Sequence, residues 1–242
     1  FRVFWKCWIA LNFALGLVIL YPVFYLLLSN PRHYRKAFRL MRVWAHVIAW
    51  GSGIFVVRKG NGNFKDSGPA VYIANHHSYL DILIAYLIIP NYFIFIGKRE
   101  IQNAPLFNIF FKGMNILVDR QSNFDSHKAF IEAGRRIREG ASVFIFPEGG
   151  IKNKSGKLFP FKIGAFRMAL ENGVPLIPVT FCNNFKRLQT GSFLMADAGP
   201  GISRVIIGNP VPTEGKTEKD LLSLKNHCFQ EIEKNLKNYH EA

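Results

Sequence analysis

The chain has 242 residues, of which 31 are Lys or Arg and 16 are Asp or Glu, so its formal net charge is +15. Hydrophobic residues make up 49% of the sequence and charged residues 19%, which excludes an intrinsically disordered chain and allows a sizeable core. A chain that is both basic and apolar favours an anionic membrane surface over nucleic acid as its partner.

The first predicted element is an apolar helix near the amino terminus. Residues 7–28 form a run of 22 residues without a charge, and about 20 apolar residues suffice to cross the hydrocarbon core. Pro22 would break or kink such a helix, so a full span and a monotopic anchor that folds back at Pro22 both stay open. The basic cluster of Arg32, Arg35 and Lys36 follows, which by the positive-inside rule places the rest of the chain on the cytoplasmic face of the inner membrane.

The second predicted element, between Tyr34 and Trp50, mixes basic and apolar residues. Its basic side and its side with Trp44 are typical of an interfacial helix in the headgroup layer. We therefore predict that residues 1–50 are membrane-anchoring helices and that residues 51–242 form the main domain. A buried core hairpin of a soluble protein is the alternative for the first 50 residues.

After residue 51, short β-rich runs alternate with helical stretches, which predicts an α/β fold with a mixed, largely parallel sheet covered by helices. The expected strands are Ile54–Val57, Ala70–Ala74, Phe93–Ile96, Ile116–Val118, Ser142–Phe146, Leu176–Thr180 and Val205–Ile207. The expected helices are Ser78–Ile89, Ala104–Phe111, Phe124–Arg138, Gly164–Glu171 and Thr217–Asn238. Capping patterns support the starts at Ser78, Ser122 and Thr217.

Polar residues follow three of these strands directly. They are Asn75-His76-His77, Asp119-Arg120 and Pro147-Glu148-Gly149-Gly150. Open α/β sheets place their ligand crevice at the carboxyl ends of the strands. If the strands run parallel, His76, Arg120 and Glu148 therefore meet at one edge of the sheet.

The spacing of His76 and Asp81 indicates an acid–base pair. His76 lies in the loop after a strand, and Asp81 lies in the first turn of the next predicted helix. A carboxylate there can accept a hydrogen bond from Nδ1–H of the imidazole, which leaves Nε2 free as a general base. An H-x4-D pair taken alone is equally consistent with a helix cap and a polar loop residue.

The segment from Asn75 to Asp81, N-H-H-S-Y-L-D, resembles the N-H-x4-D block of the glycerolipid acyltransferases, the 1-acyl-sn-glycerol-3-phosphate (lysophosphatidic acid) acyltransferase family. The segments 113–120, 146–149 and 174–179 are similar to the second, third and fourth blocks of that family. Lys98-Arg-Glu100 and the segment 161–165 lie where members commonly have K-x-E and F-K-x-G. The resemblance covers about residues 54–182 in the right order and spacing.

The resemblance implies the glycerolipid acyltransferase fold and an acyl transfer in phospholipid biosynthesis. A fatty acyl chain would move from an acyl carrier protein or coenzyme A thioester to the hydroxyl of lysophosphatidic acid, which gives phosphatidic acid. By the same resemblance His76 is the general base and Asp81 orients it. Four residues would form or shape the acceptor pocket: Lys98, Arg120, Glu148 and Gly149. A thioester is already activated, so neither a metal nor a further cofactor is expected.

This chain departs from the family pattern after Pro-Glu-Gly. Members have Thr-Arg there, whereas this sequence has Gly150-Ile151, so a guanidinium that could bind a phosphate with two hydrogen bonds is missing. Two alternatives stay open. Either a nearby lysine supplies the charge (Lys152, Lys154 or Lys162), or the acceptor is a lysolipid without a phosphomonoester, such as a lyso-aminolipid.

Other classes of site fit the sequence less well. No G-x-S-x-G elbow of a serine hydrolase occurs. The three cysteines, Cys7, Cys182 and Cys228, have no CxxC spacing, which argues against a disulfide framework or a structural zinc site. A non-catalytic basic lipid-binding module and a lipid hydrolase remain as alternatives of a different class, and binding of nucleic acid is not expected.

Overall fold

The computed structural model describes residues 1–60, 68–103, 106–111, 113–119, 121–151 and 157–241. Seven strands form one sheet: β1 (Ile54–Lys59), β2 (Val71–Ala74), β3 (Phe93–Lys98), β4 (Ile116–Val118), β5 (Ser142–Ile145), β6 (Leu176–Phe181) and β7 (Gly201–Ile207). Their order across the sheet is β1-β7-β6-β2-β5-β3-β4. All seven predicted strands are present, and most of them begin or end a few residues from the predicted bounds.

The sheet is mixed and largely parallel, which confirms the predicted fold class. β6 and β7 are antiparallel, and every other neighbouring pair is parallel. The carboxyl ends of β2 to β6 therefore share one edge of the sheet with the amino ends of β1 and β7. We call this edge the rim, because the polar segments that follow β2, β4 and β5 begin there.

Helices cover both faces of the sheet. They are α1 (Arg2–Leu28), α2 (Tyr34–Gly51), α3 (Leu80–Ile88), α4 (Asn123–Arg138), α5 (Gly164–Glu171), α6 (Asn184–Arg187) and α7 (Leu221–Glu241). The core between the sheet and helices α1 to α3 contains Tyr72, whereas the core under α4, α5 and α7 contains Val71 and Ile73. Alternate residues of β2 thus enter opposite cores, as expected for a strand that is buried on both faces.

The local helix signals are confirmed at two of the three predicted caps. The Ser122 hydroxyl accepts a hydrogen bond from the backbone N–H of Asp125, and Thr217 forms a capping box with Asp220. Helix α3 begins at Leu80, two residues later than expected. The segment predicted as a helix over 104–111 contains a 3₁₀ turn from Phe107 to Phe111, and residues 104 and 105 lie outside the described residues.

Helix α1 continues through Pro22 as a single element of 27 residues, so the chain does not fold back at Pro22. By length and composition it is long and apolar enough to cross a membrane. The core helix of a soluble protein can pass the same test, but only 17% of the most apolar 18-residue window of α1 is buried. The exposed apolar side chains of α1 support membrane association.

Helix α2 differs from its prediction. Its apolar side, with Phe38, Met41, Trp44 and Ile48, is buried in the same core as α1 and α3. An interfacial position that places Trp44 among lipid headgroups is therefore wrong. Periodicity shows that a helix has an apolar face but not which element covers that face. The division at residue 50 stays a prediction, although one continuous core contains residues from both sides of it.

Candidate active site

The order of the strands brings three polar segments side by side at the rim. β2 lies between β5 and β6, and Ile73 near its end pairs with Ile145 on one side and Pro178 on the other. Adjacent strands lie about 4.8 Å apart. The segments 75–77, 146–149 and 182–184 therefore emerge next to one another.

His76 and Asp81 form the hydrogen-bonded pair that their spacing predicts. Nδ1 of His76 lies 3.0 Å from Oδ2 of Asp81. The Asp81 carboxylate is fully buried, and the His76 side chain keeps 11% of its surface exposed. Because a carboxylate accepts the Nδ1–H, the other ring nitrogen, Nε2, carries the lone pair. The pair thus presents a basic nitrogen on an otherwise buried ring.

The Asp81 carboxylate receives further hydrogen bonds from the backbone. Oδ2 accepts from the backbone N–H groups of His77 at 2.8 Å and Ser78 at 2.9 Å. The contact with Ser78 is the carboxylate half of the capping pattern expected at Ser78, and the Ser78 hydroxyl accepts from the backbone N–H of Leu80 at 3.1 Å. Hydrogen bonds from several donors favour the charged form of a buried carboxylate.

A buried amide holds the other oxygen of Asp81. Nδ2 of Asn184 donates to Oδ1 of Asp81 at 2.8 Å, and the Ser203 hydroxyl donates in turn to Oδ1 of Asn184. All three side chains are buried. Sequence reasoning missed Asn184 and Ser203, because the contact depends on β7 running antiparallel beside β6. The antiparallel direction of β7 brings the Ser203 hydroxyl to the Asn184 amide, which contacts Oδ1 of Asp81, the carboxylate oxygen that does not bind His76.

The His76 ring has a fixed orientation. It stacks on Phe146, with ring centroids 3.9 Å apart and planes inclined by 15°. The backbone N–H of His76 donates to Oε1 of Glu148 at 2.7 Å. One end of β5 therefore holds both the ring and the backbone of His76.

Glu148 lies at the rim as expected, and both of its oxygens accept from backbone groups. Oε2 accepts from the backbone N–H of Phe159 at 2.9 Å. The carboxylate is buried. This arrangement ties the segment after β2 to residue 159, so Glu148 shapes the site by holding its backbone.

His77 has a different environment from its neighbour. Its Nδ1 lies 3.2 Å from Nδ2 of Asn75, an amide nitrogen that also donates to the backbone oxygen of Phe181. Nδ1 therefore acts as an acceptor, and the proton lies on Nε2, which faces Oε2 of Glu148 at 3.8 Å. The ring is buried against Phe185. His77 is thus buried between Asn75, Glu148 and Phe185 and presents no lone pair to the rim.

Gly149 is held in a conformation that only glycine adopts easily. Its φ is +83°, and a Cβ at this position would lie 3.3 Å from Cε of Lys162. The backbone N–H of Lys162 donates to the oxygen of Pro147 at 2.9 Å. Lys162 is exposed and lies beside the turn, whereas Lys152 and Lys154 are outside the described residues.

Of the two predicted basic groups of the acceptor pocket, Lys98 and Arg120, the structure describes only Lys98. Lys98 ends β3, is exposed, and has its Nζ 2.6 Å from Oε1 of Glu100. β5 separates β3 from β2, so Lys98 lies farther along the rim from His76 than Glu148 does. Arg120, which follows β4 and Asp119, lies outside the described residues.

Neither a thiol nor a metal competes with His76 among the described residues. Burial raises the pKa of the Cys182 thiol, just after β6, to about 11, which makes it a poor nucleophile near neutral pH. In the part of the chain that the structure describes, no three His, Cys, Asp or Glu side chains are grouped to hold a metal ion. That no metal or further cofactor is needed stays a prediction.

Comparison with known proteins then decides the family. The family model described as Acyltransferase matches residues 56–182, which is more than half of the chain and coincides with the predicted blocks. The chain belongs to the acyltransferase family.

Curated relatives of this acyltransferase carry a more specific name. The 1-acyl-sn-glycerol-3-phosphate acyltransferase of Haemophilus influenzae is 31% identical over 175 residues, which are 71% of this chain and 70% of that protein. The 1-acyl-sn-glycerol-3-phosphate acyltransferase alpha of Homo sapiens is 30% identical over 196 residues, which are 77% of this chain and 65% of the human protein. The chloroplastic BAT2 acyltransferase of Brassica napus is 37% identical over 147 residues, but only 41% of its length is matched. The resemblance stated from the sequence is thus confirmed.

A solved structure confirms the fold of this acyltransferase. The crystal structure of the 1-acyl-sn-glycerophosphate (LPA) acyltransferase from Thermotoga maritima superposes with a TM-score of 0.80. The match covers 100% of this chain and 99% of that chain at 20% sequence identity. At this identity the likeness shows the shared fold, including the helices that precede β1.

Proposed function

We propose that this acyltransferase moves a fatty acyl group from a thioester to the free hydroxyl of lysophosphatidic acid, with His76 as the general base. The observation that carries the proposal is the 3.0 Å hydrogen bond between His76 and the buried Asp81 at the rim. It leaves one basic nitrogen at the edge of the sheet where α/β folds bind ligands. The names of the relatives support the substrate.

The proton movements in this proposal balance without any covalent enzyme intermediate. Nε2 of His76 takes the proton of the acceptor hydroxyl while the hydroxyl oxygen attacks the thioester carbonyl carbon. The tetrahedral intermediate then collapses, the carbon–sulfur bond breaks, and the thiolate takes the proton back from the imidazolium. Asp81 stabilises the imidazolium between these steps, because its carboxylate lies against Nδ1–H.

Lysophosphatidic acid is the proposed acceptor because of the relatives' names and the basic groups expected around the rim. Lys162 beside Gly149, Lys98 at the end of β3 and Arg120 are the proposed contacts of its phosphate. Gly150-Ile151 favours a second candidate, a lyso-aminolipid, because the fork-shaped guanidinium of the family pattern is absent from that position.

The donor is a fatty acyl thioester of acyl carrier protein or coenzyme A. Both carry negative charge, which suits a chain with a net charge of +15. We propose that the enzyme works on the cytoplasmic face of the inner membrane. Support comes from the exposed basic residues Arg32, Arg35, Lys36 and Arg39, which directly follow the apolar helix α1.

A pair of neighbouring substitutions tests the general base. We expect His76→Ala to lower kcat by about 10²–10⁴-fold, the usual contribution of such a base. His77→Ala should keep most of the activity, because its ring presents no lone pair to the rim. Thiol release from an acyl donor in the presence of lysophosphatidic acid measures both, and thermal unfolding shows that each variant folds. A fully active His76→Ala would refute the assignment.

A lysolipid panel tests the acceptor with the donor held fixed. We expect the wild type to prefer lysophosphatidic acid and Lys162→Ala to raise KM for it. A preference for a lysolipid without phosphate would refute the proposed acceptor and leave His76 and Asp81 in their roles. Release of fatty acid without any lysolipid would instead identify a hydrolase.

A further inference from the structure

The connection between α6 and β7 forms a loop that begins and ends at the rim. We call residues 189–198 the rim loop. Leu188 and Ala198 form an antiparallel bridge at its base, and the backbone N–H of Gln189 donates to the oxygen of Asp197 at 2.8 Å. The Ser78 hydroxyl, two residues from His76, donates to the oxygen of Leu188 at 2.7 Å. The rim loop is thus anchored beside the candidate active site.

The tip of the rim loop exposes three consecutive apolar side chains. Phe193, Leu194 and Met195 are 54%, 65% and 77% exposed. The tip is also an ordered turn, since the backbone N–H of Ala196 donates to the oxygen of Ser192 at 2.9 Å. Single exposed apolar residues are common on soluble proteins, whereas a group of them that the fold holds outward marks an interaction surface.

A buried lysine fixes this tip to the first turns of α1. Nζ of Lys6 donates to the backbone oxygens of Phe193, at 2.8 Å, and Ala196. Lys6 is itself buried, with 6% of its surface exposed. Burying an ammonium group is costly unless hydrogen bonds compensate it. Arg2 adds an ion pair to Asp197 at 3.2 Å, so the rim loop and the start of α1 form one unit.

The surroundings of this unit are aromatic and exposed. Trp8 of α1 is exposed and donates from Nε1 to the backbone oxygen of Gly51 at 2.7 Å. Trp50 and Tyr79, the latter between Ser78 and α3, are exposed as well. Amphipathic aromatic rings of this kind are enriched where proteins meet the interface of a bilayer.

From these contacts we infer that the tip of the rim loop is a second membrane-inserting element, separate from α1, and that Lys6 positions it. The partner is a lipid bilayer with anionic headgroups. Continuity with the exposed apolar side of α1 and the net charge of +15 select a bilayer over a protein partner. The inference rests on the proposed function only in that a membrane lipid is the substrate. Insertion of the tip holds the rim, and with it His76, against the lipid surface.

Fluorescence quenching tests the position of the tip in the intact 242-residue chain. A Met195→Cys variant carries an environment-sensitive fluorophore on a Cys7→Ser background, and Ile131→Cys at an exposed apolar position of α4 is the matched control. Both proteins are reconstituted into vesicles of phosphatidylethanolamine and phosphatidylglycerol. We expect a nitroxide on the lipid chains to quench the label at position 195, and iodide in the water to quench the label at position 131. Equal quenching of both labels by iodide would overturn the inference.

Three further results separate the alternatives. Self-quenching at position 195 that depends on protein concentration and not on lipid would identify a second copy as the partner and overturn the inference. We expect Lys6→Met to reduce lipid quenching at position 195 severalfold, and unchanged quenching would overturn the role of Lys6.

Replacing Phe193, Leu194 and Met195 by Ser should lower activity on vesicles about tenfold or more and leave activity in detergent micelles intact. The quenching experiment needs no catalysis, so it tests the membrane contact of the tip even if the proposed function is refuted.

Discussion

Replacement of Asn184 tests whether the buried amide behind Asp81 contributes to catalysis. In Asn184→Ala, Oδ1 of Asp81 loses a 2.8 Å hydrogen bond, and the Ser203 hydroxyl loses its acceptor. A hydrogen bond to a charged group contributes about 1.5–3 kcal/mol, so we expect the free energy of unfolding to fall by about that amount. The variant should still fold if the chain has the usual stability of about 5–15 kcal/mol.

The catalytic effect has a signature that lost stability alone does not produce. Without the Asn184 amide, the Asp81 carboxylate is held less firmly against Nδ1–H of His76. We therefore expect a lower kcat with little change in KM at a temperature where the variant is fully folded. Steady-state kinetics at one fixed pH measure both constants.

The neighbouring Asn183 is a matched control for this experiment. It is equally buried and makes two hydrogen bonds of 2.8 Å, to the backbone of Ile202 and of Arg204, but none to Asp81. Asn183→Ala should cost similar stability and leave kcat unchanged. If both variants change kcat equally, or if neither changes it, Asn184 has no role in positioning Asp81.

Two further predictions follow from the buried groups of the rim. In Glu148→Gln, the new amide nitrogen would face the backbone N–H of His76 or of Phe159, and one hydrogen bond would be lost. We therefore expect the free energy of unfolding to fall by about 1–3 kcal/mol and kcat to fall with it, as measured by denaturant unfolding and steady-state kinetics. A higher KM with unchanged stability would instead indicate that Glu148 contacts the acceptor. Burial raises the pKa of Cys182 to about 11 and that of Cys228 to about 12, so both thiols stay protonated at pH 8, whereas Cys7 is exposed. A thiol reagent should therefore modify at most one cysteine of the folded enzyme, and this modification should leave the activity unchanged. In denaturant it should modify all three cysteines, as counted by mass spectrometry. Inactivation by labelling at Cys182 would contradict this prediction.

Much of the fold could be predicted because its signals are local. β2 is marked by a run of buried β-forming residues, and α4 by a Ser122 cap ahead of amphipathic spacing. The contact between His76 and Asp81 could also be predicted, since the two residues lie only five positions apart. These features depend on short-range geometry that the backbone enforces wherever the segment lies.

What could not be predicted depends on the order of the strands. Asn184 reaches Asp81 because β6 lies beside β2, and Ser203 reaches Asn184 because β7 runs antiparallel on the other side of β6. Nothing in the residues around Ser203 indicates that direction. The burial of Trp44 was missed for a related reason, because an amphipathic helix can place its apolar side on lipid or on protein with equal ease.

The contact between Lys6 and the rim loop also has a consequence for how the chain is made. The two are separated by 187 positions at Phe193, so the lysine leaves the ribosome long before its carbonyl partners exist. At roughly 5–20 residues per second, the delay is about 10–40 s. During that time the ammonium group stays in water or among headgroups, and the amino end of α1 lacks its contacts with the rim loop. The amino end of α1 therefore completes its packing only after residues 193–196 have been synthesised. A chain truncated before residue 192 would lack the contacts that attach Lys6 to the rim loop.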